Sequence, residues 1–419
     1  MLKALSTLRA IAEALGSSVA RDAPVTGVSI DSRTIQPGEL FVAVRGASTD
    51  GHLYIDQALA AGAAGVVAEH DGTITVKDSL AALQALGAET RRRWGKKVVA
   101  VTGSVGKTTT KEMIAAVLAR RYRVLKTEGN FNNEYGLPLS LLRLQDADEI
   151  AVLELGMSHA GEIAALAKLC RPDVGVVTCV APVHLEFFDS VDAVARAKYE
   201  LIEALPPDGV AVLNADDARV AAFAFAGCRV MYGLANTPPG LEVPLPGRHN
   251  VLNALAAIAV GSLFDVSLDE AKAALRDFHP AKMRGEIVAS RGARLVNDCY
   301  NSNPVAALAM LDWLMETPNA GRRAAVLGEM LELGPAAAQL HREVGARART
   351  LDLLIGVRGL AREIIVGAGR GDFVETPEEA AAILDTWIRP GDLVLFKASR
   401  GVRLERALTA LMTMEKAAS

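Results

Sequence analysis

The segment KVVAVTGSVGKTTTKEMIAAVLARRY, residues 97–122, decides the fold of this chain. An apolar strand pattern, VVAVTG, leads into a glycine-containing loop, and the amphipathic pattern of a helix follows at once. Gly103 and Gly106 have no Cβ, so backbone N–H groups can approach phosphate oxygens, and the positive end of the helix dipole adds to the attraction. Strand, loop and helix in this order predict a phosphate-binding loop for a nucleoside triphosphate.

Each residue type in the loop suits a part of the triphosphate. Lys107 would reach the β- and γ-phosphates, the Thr108 hydroxyl would bind Mg²⁺, and Thr109 would assist at the helix start. The full Walker pattern has a glycine five residues before Gly106, whereas this chain has Val101. A glycine-rich turn without a ligand is therefore the alternative. The predicted ATP-binding residues of the loop are Gly103, Ser104, Val105, Gly106, Lys107, Thr108 and Thr109.

Composition and charge exclude several other classes of protein. The 419 residues are too many for one ordinary core, so two or three domains are expected. The net charge of -4 implies no large basic face for nucleic acid or anionic lipid, and no apolar run is as long as a membrane span. The N-terminal MLKALSTLRAIAEALGSS is typical of an amphipathic helix, and the four scattered cysteines fit a reducing compartment. We therefore expect a cytoplasmic protein that binds neither nucleic acid nor membrane.

Alternating strand and helix patterns divide the chain into three α/β domains. Residues 1–95 form a small N-terminal domain, in which GVSIDSRTIQPGELFVAVRG (residues 27–46) is predicted as two strands joined by a Pro-Gly turn. Residues 96–283 alternate strands with helices, which predicts a central P-loop ATPase-like domain with a parallel sheet and helices on both faces. Residues 284–419 repeat the alternation as a Rossmann-like C-terminal domain.

Acidic and basic side chains follow the central strands, where ligands of a second metal ion would be expected. Glu154 ends the strand in AVLELGMSHAGEI, His184 follows the next strand in VVTCVAPVHLEFF, and Lys198 lies on the helix VARAKYELIEAL. An ammonium would repel Mg²⁺, but a neutral lysine that has taken up CO₂ becomes a carbamate and can bind it. From the residues alone, Lys198 as a surface helix residue and His184 as a structural histidine remain the alternatives.

Candidate nucleotide-binding residues lie beyond the central sheet. Asn250 and Asn253 share one side of a helix start in PLPGRHNVLNALAAIAVG, and their amides could recognise an adenine edge. Helix capping by Asn250 is the alternative. Arg284, at the expected hinge, could meet the γ-phosphate, and Asp298, at the end of a strand, could accept from ribose hydroxyls.

Together these motifs resemble the Mur ligase family over essentially the whole chain, and that family's phosphate loop also lacks the early glycine. The resemblance implies ATP and two Mg²⁺ ions, the first at Lys107 and Thr108. It implies that Glu154, His184 and a carbamylated Lys198 hold the second ion. It also implies that Asn250 and Asn253 contact adenine, that Asp298 binds the ribose and that Arg284 contacts the γ-phosphate. The catalytic residues that it implies are Lys107, Lys198, His184 and Arg284.

The N-terminal segment SIDSRTIQPGELFVAVRGASTDGHLYIDQALAAGA resembles the uridine-nucleotide domain of two ligases in this family. One adds a diamino acid and the other adds D-alanyl-D-alanine. The strings VNDCYNSNPVA, AVLGEMLELG and TEGNFNNEYGLPLSLL resemble the second, and the Asp-Asn-Pro-Arg loop of the first is absent from the sequence. The implied substrates are UDP-MurNAc-tripeptide and D-alanyl-D-alanine. The matching positions are Ser32, Arg33, Gly46, Asp50, Gly51, His52, Asn130, Asn132 and Asn133.

The resemblance implies an ADP-forming peptide ligase that works through an acyl phosphate. Closure of the third domain would bring Arg284, Asp298, Asn301 and Lys397 over the site and exclude water. Lys397, Ser399 and Arg400, in KASRGVRLE, are candidates for binding the dipeptide carboxylate or for closing the site, with an ordinary helix start as the alternative. A monomer is expected. The sequence leaves open whether residue three of the tripeptide is lysine or diaminopimelate.

Three other functions fit the sequence less well. A P-loop hydrolase or switch protein would have no use for a uridine-nucleotide domain. A non-enzymatic nucleotide-binding module would not need Glu154, His184 and Lys198 together. The sister ligase that adds a diamino acid is the nearest rival, and its acceptor specificity would distinguish it.

Overall fold

The computed structural model describes residues 1–46, 49–183 and 186–418. The strands are β1 (Val28–Ser29), β2 (Leu40–Val42), β3 (Gly65–Ala68), β4 (Ile74–Thr75), β5 (Lys97–Thr102), β6 (Val124–Lys126), β7 (Ile150–Glu154), β8 (Val174–Val177), β9 (Val210–Asn214), β10 (Cys228–Tyr232), β11 (Glu286–Ser290), β12 (Ala293–Asp298), β13 (Arg323–Gly328), β14 (Leu353–Val357), β15 (Asp372–Val374) and β16 (Leu393–Lys397). They form three separate sheets, which follow one another along the chain.

Helices connect most of these strands. They are α1 (Leu8–Ala14), α2 (Ile55–Ala60), α3 (Ser79–Trp94), α4 (Lys107–Leu118), α5 (Gly136–Leu142), α6 (Glu162–Cys170), α7 (Val191–Glu203), α8 (Ala218–Ala221), α9 (Arg248–Leu263), α10 (Leu268–Arg276), α11 (Pro304–Glu316), α12 (Ala337–Ala348), α13 (Ala361–Ala368), α14 (Pro377–Trp387) and α15 (Glu405–Ala418). No helix within residues 1–46, 49–183 and 186–418 is long and apolar enough to cross a membrane.

The N-terminal sheet has the order β1-β2-β3-β4, and its neighbouring strands are all parallel. The segment at residues 27–46 is therefore not a hairpin, because β1 and β2 run in the same direction and the Pro-Gly turn lies in the crossover between them. The predicted N-terminal helix is also divided. A short 3₁₀ turn, Lys3–Leu5, precedes α1, and the Thr7 hydroxyl between them accepts a hydrogen bond from the N–H of Ala10. A side-chain cap of this kind begins a new helix at Thr7.

The central sheet has the order β10-β9-β8-β5-β7-β6, with all strands parallel. β5 is the first of these strands in the chain and lies between two later ones. The strand order therefore reverses beside β5, and ligands of open α/β sheets bind in the crevice outside the carboxyl ends at such a point. One face of the sheet is covered by α4, α9 and α10, and the other by α5, α6 and α7.

Helix α5 also joins the central sheet to the N-terminal one. Leu137 and Leu141 are buried in the central core, whereas Leu139 and Leu142 are buried with the residues of the N-terminal sheet. The helix therefore contributes to both hydrophobic cores.

The C-terminal sheet has the order β11-β12-β16-β13-β14-β15, in which only β11 is antiparallel. Helices α11, α12 and α13 pack on one face, and α14 and α15 on the other. The predicted fold class, three α/β domains with a parallel central sheet, is confirmed. The domain boundaries at residues 95/96 and 283/284 stay predictions.

Candidate functional site

The phosphate-binding loop is formed where β5 ends and α4 begins. Gly103 has φ 146°, and a Cβ there would lie 1.8 Å from the Thr178 hydroxyl. Gly106 has φ 85°, and a Cβ there would lie 2.6 Å from Oδ1 of Asn253. Both positions therefore require glycine, because the loop is packed between the end of β8 and the start of α9. This packing fixes the backbone that would surround the phosphates.

Lys107 begins α4 and turns its ammonium back over the loop, where it donates a 2.8 Å hydrogen bond to the backbone oxygen of Gly103. Burial lowers the pKa of Lys107; the Glu154 carboxylate opposes this shift, and the Arg284 guanidinium adds to it. Lys107, Arg284 and Glu154 therefore act on one another although they come from three separate segments. This concentration of cationic groups favours a polyanionic ligand.

A cavity of about 630 Å³ opens beside the loop and extends to the edge of the C-terminal sheet. This volume is within the usual range for a bound small molecule. The predicted site residues that line it are Ser104, Val105, Gly106, Lys107, Thr108, Thr109, Asn130, Asn132, Asn133, Glu154, Asn250, Asn253, Arg284, Asp298, Asn301 and Lys397. Of the other predicted residues, Gly103, Lys198 and Ser399 do not line it, and neither do the six N-terminal positions.

Glu154, the last residue of β7, is 2% exposed and is held on two sides. Its N–H donates to the Thr127 hydroxyl at 3.0 Å, and its Oε1 accepts from the Asn132 amide at 2.8 Å. Its Oε2 is buried and has no hydrogen-bond partner among the described residues. A buried carboxylate oxygen without a donor is unfavourable, and a bound cation would satisfy it.

Lys198, on α7, is 1% exposed. The alternative that Lys198 is a surface residue is therefore wrong. Burial lowers its pKa well below the usual range, and the ammonium of Lys107 lowers it further. A buried amine in such surroundings favours the neutral form, which is the form that can react with CO₂.

The predicted metal ligand His184 lies outside the described residues, so its role stays a prediction. Within residues 1–46, 49–183 and 186–418, no group of three or more His, Cys, Asp or Glu side chains is arranged to hold a metal ion. The described part of the predicted second ion site therefore consists of Glu154 and Lys198.

Asn250 and Asn253 lie at the start of α9 and join it to the phosphate loop. The Asn253 Oδ1 accepts from the Thr110 hydroxyl at 3.0 Å, and its Nδ2 donates to Oδ1 of Asn250 at 3.0 Å. Asn250 Nδ2 donates in turn to the backbone oxygen of Pro246 at 2.6 Å. The capping alternative for Asn250 is wrong, because Gly247 occupies the cap position and no side chain caps the helix there. The chain of amides fixes both residues beside the loop.

The sequence did not predict His249 and Tyr300, which are among the other residues that line the cavity. His249 lies between Asn250 and the C-terminal sheet, and its Nε2 is 3.2 Å from the Asn250 side-chain amide nitrogen. Burial lowers the pKa of His249 to about 4. Its Nδ1 has no hydrogen-bond partner among the described residues. Tyr300 packs its ring 4.0 Å from the Arg284 guanidinium. Both are close in sequence to predicted residues, since His249 precedes Asn250 and Tyr300 lies two residues after Asp298, but neither residue type alone indicates a nucleotide site.

The C-terminal edge of the cavity is formed by strand ends that are tied together. Lys397 donates to Asp298 Oδ2 at 2.6 Å. The buried Ser399 hydroxyl accepts from the N–H of Leu331 at 2.9 Å and donates to the backbone oxygen of Ser302 at 3.3 Å. Ser399 therefore joins three loops within the protein. Arg400 is exposed and pairs with Glu405 at 2.7 Å.

The predicted uridine residues form a second polar cluster in the N-terminal domain. The Nδ1 atom of His52 lies 2.7 Å from Oδ1 of Asp50. Its Nε2 accepts a 3.2 Å hydrogen bond from the N–H of Glu69. The His52 hydrogen bonds lower the pKa of Asp50 to about 2, and Arg45 pairs with both Asp50 and Glu69. The cluster therefore holds the ends of the segment that joins β2 to the 3₁₀ turn at Gly51–Tyr54.

The remaining four N-terminal positions lie around this cluster and near the start of the crossover after β1. A Cβ at Gly51 would lie 2.7 Å from the Val44 backbone oxygen, so the close approach requires glycine. The Gly46 N–H donates to Thr49 at 2.8 Å. The Ser32 hydroxyl donates to Gln57, and the exposed Arg33 guanidinium pairs with Asp31. These contacts arrange a polar surface, separate from the cavity.

Fold and site define a class of protein, an α/β enzyme with a triphosphate loop at one sheet edge and a second sheet edge facing it. Comparisons with known proteins identify the family. Family models match residues 24–127 (Mur ligase family, catalytic domain), 101–237 (Mur ligase middle domain) and 283–400 (Mur ligase, glutamate ligase domain). The chain belongs to the Mur ligase family, and the family resemblance seen in the sequence is confirmed.

Individual relatives cover nearly the whole chain. A UDP-N-acetylmuramoyl-tripeptide--D-alanyl-D-alanine ligase of Bacillus subtilis (strain 168) is 35% identical, with 97% of this chain and 98% of the relative covered. The crystal structure of MurF from Acinetobacter baumannii has a TM-score of 0.87 at 29% identity, covering 96% and 98%. The structure of MurF ligase from Thermotoga maritima in complex with ADP has a TM-score of 0.84 at 30% identity, covering 94% and 99%.

Proposed function

We propose that this chain is the ATP-dependent ligase that joins D-alanyl-D-alanine to UDP-MurNAc-tripeptide and forms the pentapeptide precursor of peptidoglycan. The names of its full-length relatives support the substrates. The observation that carries the proposal is the shared cavity, in which the phosphate loop and the ends of the C-terminal strands face the same space. A carboxylate, ATP and an amine could meet there.

The reaction would proceed in two steps. The terminal carboxylate oxygen of the tripeptide attacks the γ-phosphorus, the bond to the β-phosphate oxygen breaks, and ADP leaves. The amine nitrogen of D-alanyl-D-alanine then attacks the acyl carbon, and inorganic phosphate leaves as the amide forms and the amine loses a proton. Lys107 and Arg284 would neutralise the charge on the transferring phosphoryl group. The acyl phosphate hydrolyses in water, which is the reason for placing the reaction between two domains.

The residues present fit two Mg²⁺ ions, which would neutralise phosphate and carboxylate charge when bound. The Thr108 hydroxyl, at the start of α4, would hold the first ion. Glu154, His184 and a carbamylated Lys198 would hold the second. The fit rests on the unpaired buried Oε2 of Glu154 and on the lowered pKa of the Lys198 amine.

Nucleotide and substrate contacts follow the geometry. Asn250 and Asn253 would recognise adenine, and Asp298 would accept from the ribose hydroxyls. The N-terminal cluster around Asp50 and His52 would bind the uridine nucleotide.

The cavity residues Asn130, Asn133 and Asn301 would contact the tripeptide or the dipeptide. Asn132 and Ser399 would act through the hydrogen bonds that they already make, to Glu154 and between loops. A cytoplasmic, monomeric enzyme remains our expectation.

Phosphate release from ATP tests the proposal. Purified protein is given ATP, Mg²⁺ and UDP-MurNAc-tripeptide, with or without D-alanyl-D-alanine. In parallel it is given ATP, Mg²⁺ and UDP-MurNAc-dipeptide, with diaminopimelate, with lysine or with no acceptor. Release should require D-alanyl-D-alanine and produce a pentapeptide that mass spectrometry detects. Release that requires a free diamino acid would establish the sister ligase instead.

The carbamate has its own arm in the same assay. Lys198→Ala should lose nearly all activity and recover part of it when a short-chain carboxylic acid is added, because the acid can replace the missing carboxylate. Lys168→Ala, on the neighbouring helix α6, is the control and should behave as the wild type. Full activity of Lys198→Ala without added acid would contradict the carbamate.

A further inference from the structure

A fully buried lysine lies one helical turn beyond the phosphate loop. Lys111 is 0% exposed, and its ammonium donates a 2.6 Å hydrogen bond to the backbone oxygen of Thr127 and pairs with Glu112 Oε1 at 2.8 Å. Taking an ammonium out of water is unfavourable unless its charge and its protons are satisfied. The reaction proposed above does not use Lys111, so its burial calls for another role.

Thr127, which Lys111 holds, ends the pairing between β6 and β7. Its N–H donates to the backbone oxygen of Val152 at 3.1 Å, and its hydroxyl accepts from the Glu154 N–H at 3.0 Å. A hydroxyl oxygen here takes the place of the backbone oxygen that would continue the ladder. The chain therefore leaves the sheet after Thr127 and runs toward the cavity, where Asn132 and Asn133 line the wall.

The segment that leaves the sheet returns to Glu154 through Asn132. The Asn132 amide donates to Oε1 at 2.8 Å, and the N–H of Gly156 donates to its backbone oxygen at 2.8 Å. A Cβ at Gly156 would lie 2.9 Å from the Asn132 side chain, so that approach depends on glycine. Glu154 is thus held at its N–H by Thr127 and at Oε1 by Asn132, which leaves Oε2 for another partner.

We propose that Lys111 and Thr127 are positioning residues for a divalent cation at Glu154. Lys111 fixes the backbone of Thr127, and Thr127 fixes both the Glu154 backbone and the start of the segment that carries Asn132. The inference rests on the proposed function in one respect, the presence of a cation at Glu154. Hydrogen-bonded groups behind a metal ligand commonly change metal affinity by about 10- to 100-fold when they are removed.

Direct binding of Mn²⁺ tests the proposal without catalysis. The whole protein is titrated with Mn²⁺ in the presence of bicarbonate and a non-hydrolysable ATP analogue, and the electron paramagnetic resonance signal of free Mn²⁺ gives the number and affinity of bound ions. Thr127→Val removes the hydroxyl at nearly constant shape, whereas Thr127→Ser keeps it. Lys111→Met removes the ammonium. Met113→Ala creates a cavity in the same helix and alters none of these hydrogen bonds.

The wild type should bind two ions. Thr127→Val and Lys111→Met should weaken the second by about tenfold, and Thr127→Ser should bind it as the wild type does. Met113→Ala should lower the thermal midpoint and leave the second ion unaffected. If Lys111→Met fails to fold, the comparison of Thr127→Val with Thr127→Ser decides.

Three results overturn the inference. If Thr127→Val binds the second ion with wild-type affinity, the positioning role is wrong, although the cation site itself stands. The same conclusion follows if Met113→Ala loses as much affinity for the second ion as Thr127→Val does. A wild type that binds one ion only removes the cation site at Glu154, and the positioning role with it.

Discussion

The Lys397 ammonium donates a 2.6 Å hydrogen bond to Oδ2 of Asp298, and these two residues are register partners at the ends of adjacent parallel strands. The ammonium also donates to the backbone oxygen of Asn301 at 3.1 Å. The lysine side chain is 4% exposed and the aspartate side chain 18%. The Lys397 ammonium therefore makes its hydrogen bonds within the protein, and we expect it to affect nucleotide binding by orienting Asp298.

Replacing Lys397 by methionine should weaken ATP binding. The change leaves Asp298 partly buried without its cation, and breaking such a pair costs about 3 kcal/mol of stability. The KM for ATP should rise about tenfold, equivalent to about 1.4 kcal/mol, because the ribose acceptor is no longer held. Steady-state kinetics with varied ATP measure the change.

The control for this prediction is an ion pair at the opposite end of the same sheet. Arg322 pairs with the buried Asp392 at 2.7 Å, before β13 and β16 begin. Arg322→Met should lower the thermal midpoint and leave the KM for ATP unchanged. An equal rise in KM for both variants would show that general destabilisation, and not the orientation of Asp298, is responsible.

The pairing of Lys397 with Asp298 shows why part of the site could not be predicted from the sequence. The phosphate loop is local, since its glycines, Lys107 and the start of α4 are consecutive, and the pattern alone placed them correctly. Asp298 and Lys397 are 99 residues apart, and their contact depends on which strands are neighbours. No local pattern contains that information, so the sequence predicts separate roles for the two residues.

Burial and strand direction were also beyond the sequence. Lys198 has the pattern of a surface helix residue, and its burial follows from the packing of α7 on the central sheet. The segment at residues 27–46 looks like a hairpin because its turn residues suit one, yet the parallel pairing of β1 with β2 is set by the rest of the N-terminal sheet. The Thr127 hydroxyl, which replaces a backbone partner of Glu154, leaves no mark in the periodicity.

Gly106 should tolerate no side chain, whereas Gly161 should tolerate a small one. Both glycines are cap residues of helices with φ 85°, so alanine is equally strained at each. A Cβ at Gly106 would lie 2.6 Å from Asn253 Oδ1, whereas no atom of the described residues lies within 4 Å of a Cβ at Gly161. Gly106→Ala should therefore reduce ATP affinity by more than about tenfold, and Gly161→Ala should lose only about 1 kcal/mol of stability. Calorimetric titration with an ATP analogue measures both; equal affinities would contradict the prediction.

His249 should make the protein less stable as the pH falls from about 6.5 to about 4. Burial lowers its pKa to about 4 in the folded protein, whereas the unfolded chain takes up the proton near pH 6.5. Between these values the unfolded state binds more protons, so stability rises with pH, and the penalty is absent above the window and complete below it. The shift corresponds to at most about 3 kcal/mol. From pH 7 to pH 4, the thermal midpoint of the wild type should fall relative to that of His249→Gln; parallel curves would contradict the prediction.

His52 should control the uridine nucleotide and leave ATP unaffected. Both of its ring nitrogens are engaged, with Asp50 and with the N–H of Glu69, and its side chain is 3% exposed. His52→Ala leaves the partly buried N–H of Glu69 without its partner, at a cost of about 1 kcal/mol, and releases Asp50, so the KM for UDP-MurNAc-tripeptide should rise about tenfold. His70, which stacks on His52 with ring centroids 4.7 Å apart but is exposed, provides the matched change. His70→Ala should leave the KM values for ATP and for UDP-MurNAc-tripeptide unchanged. A rise in the KM for ATP in His52→Ala would show that the N-terminal cluster acts on the central cavity instead of on the uridine nucleotide.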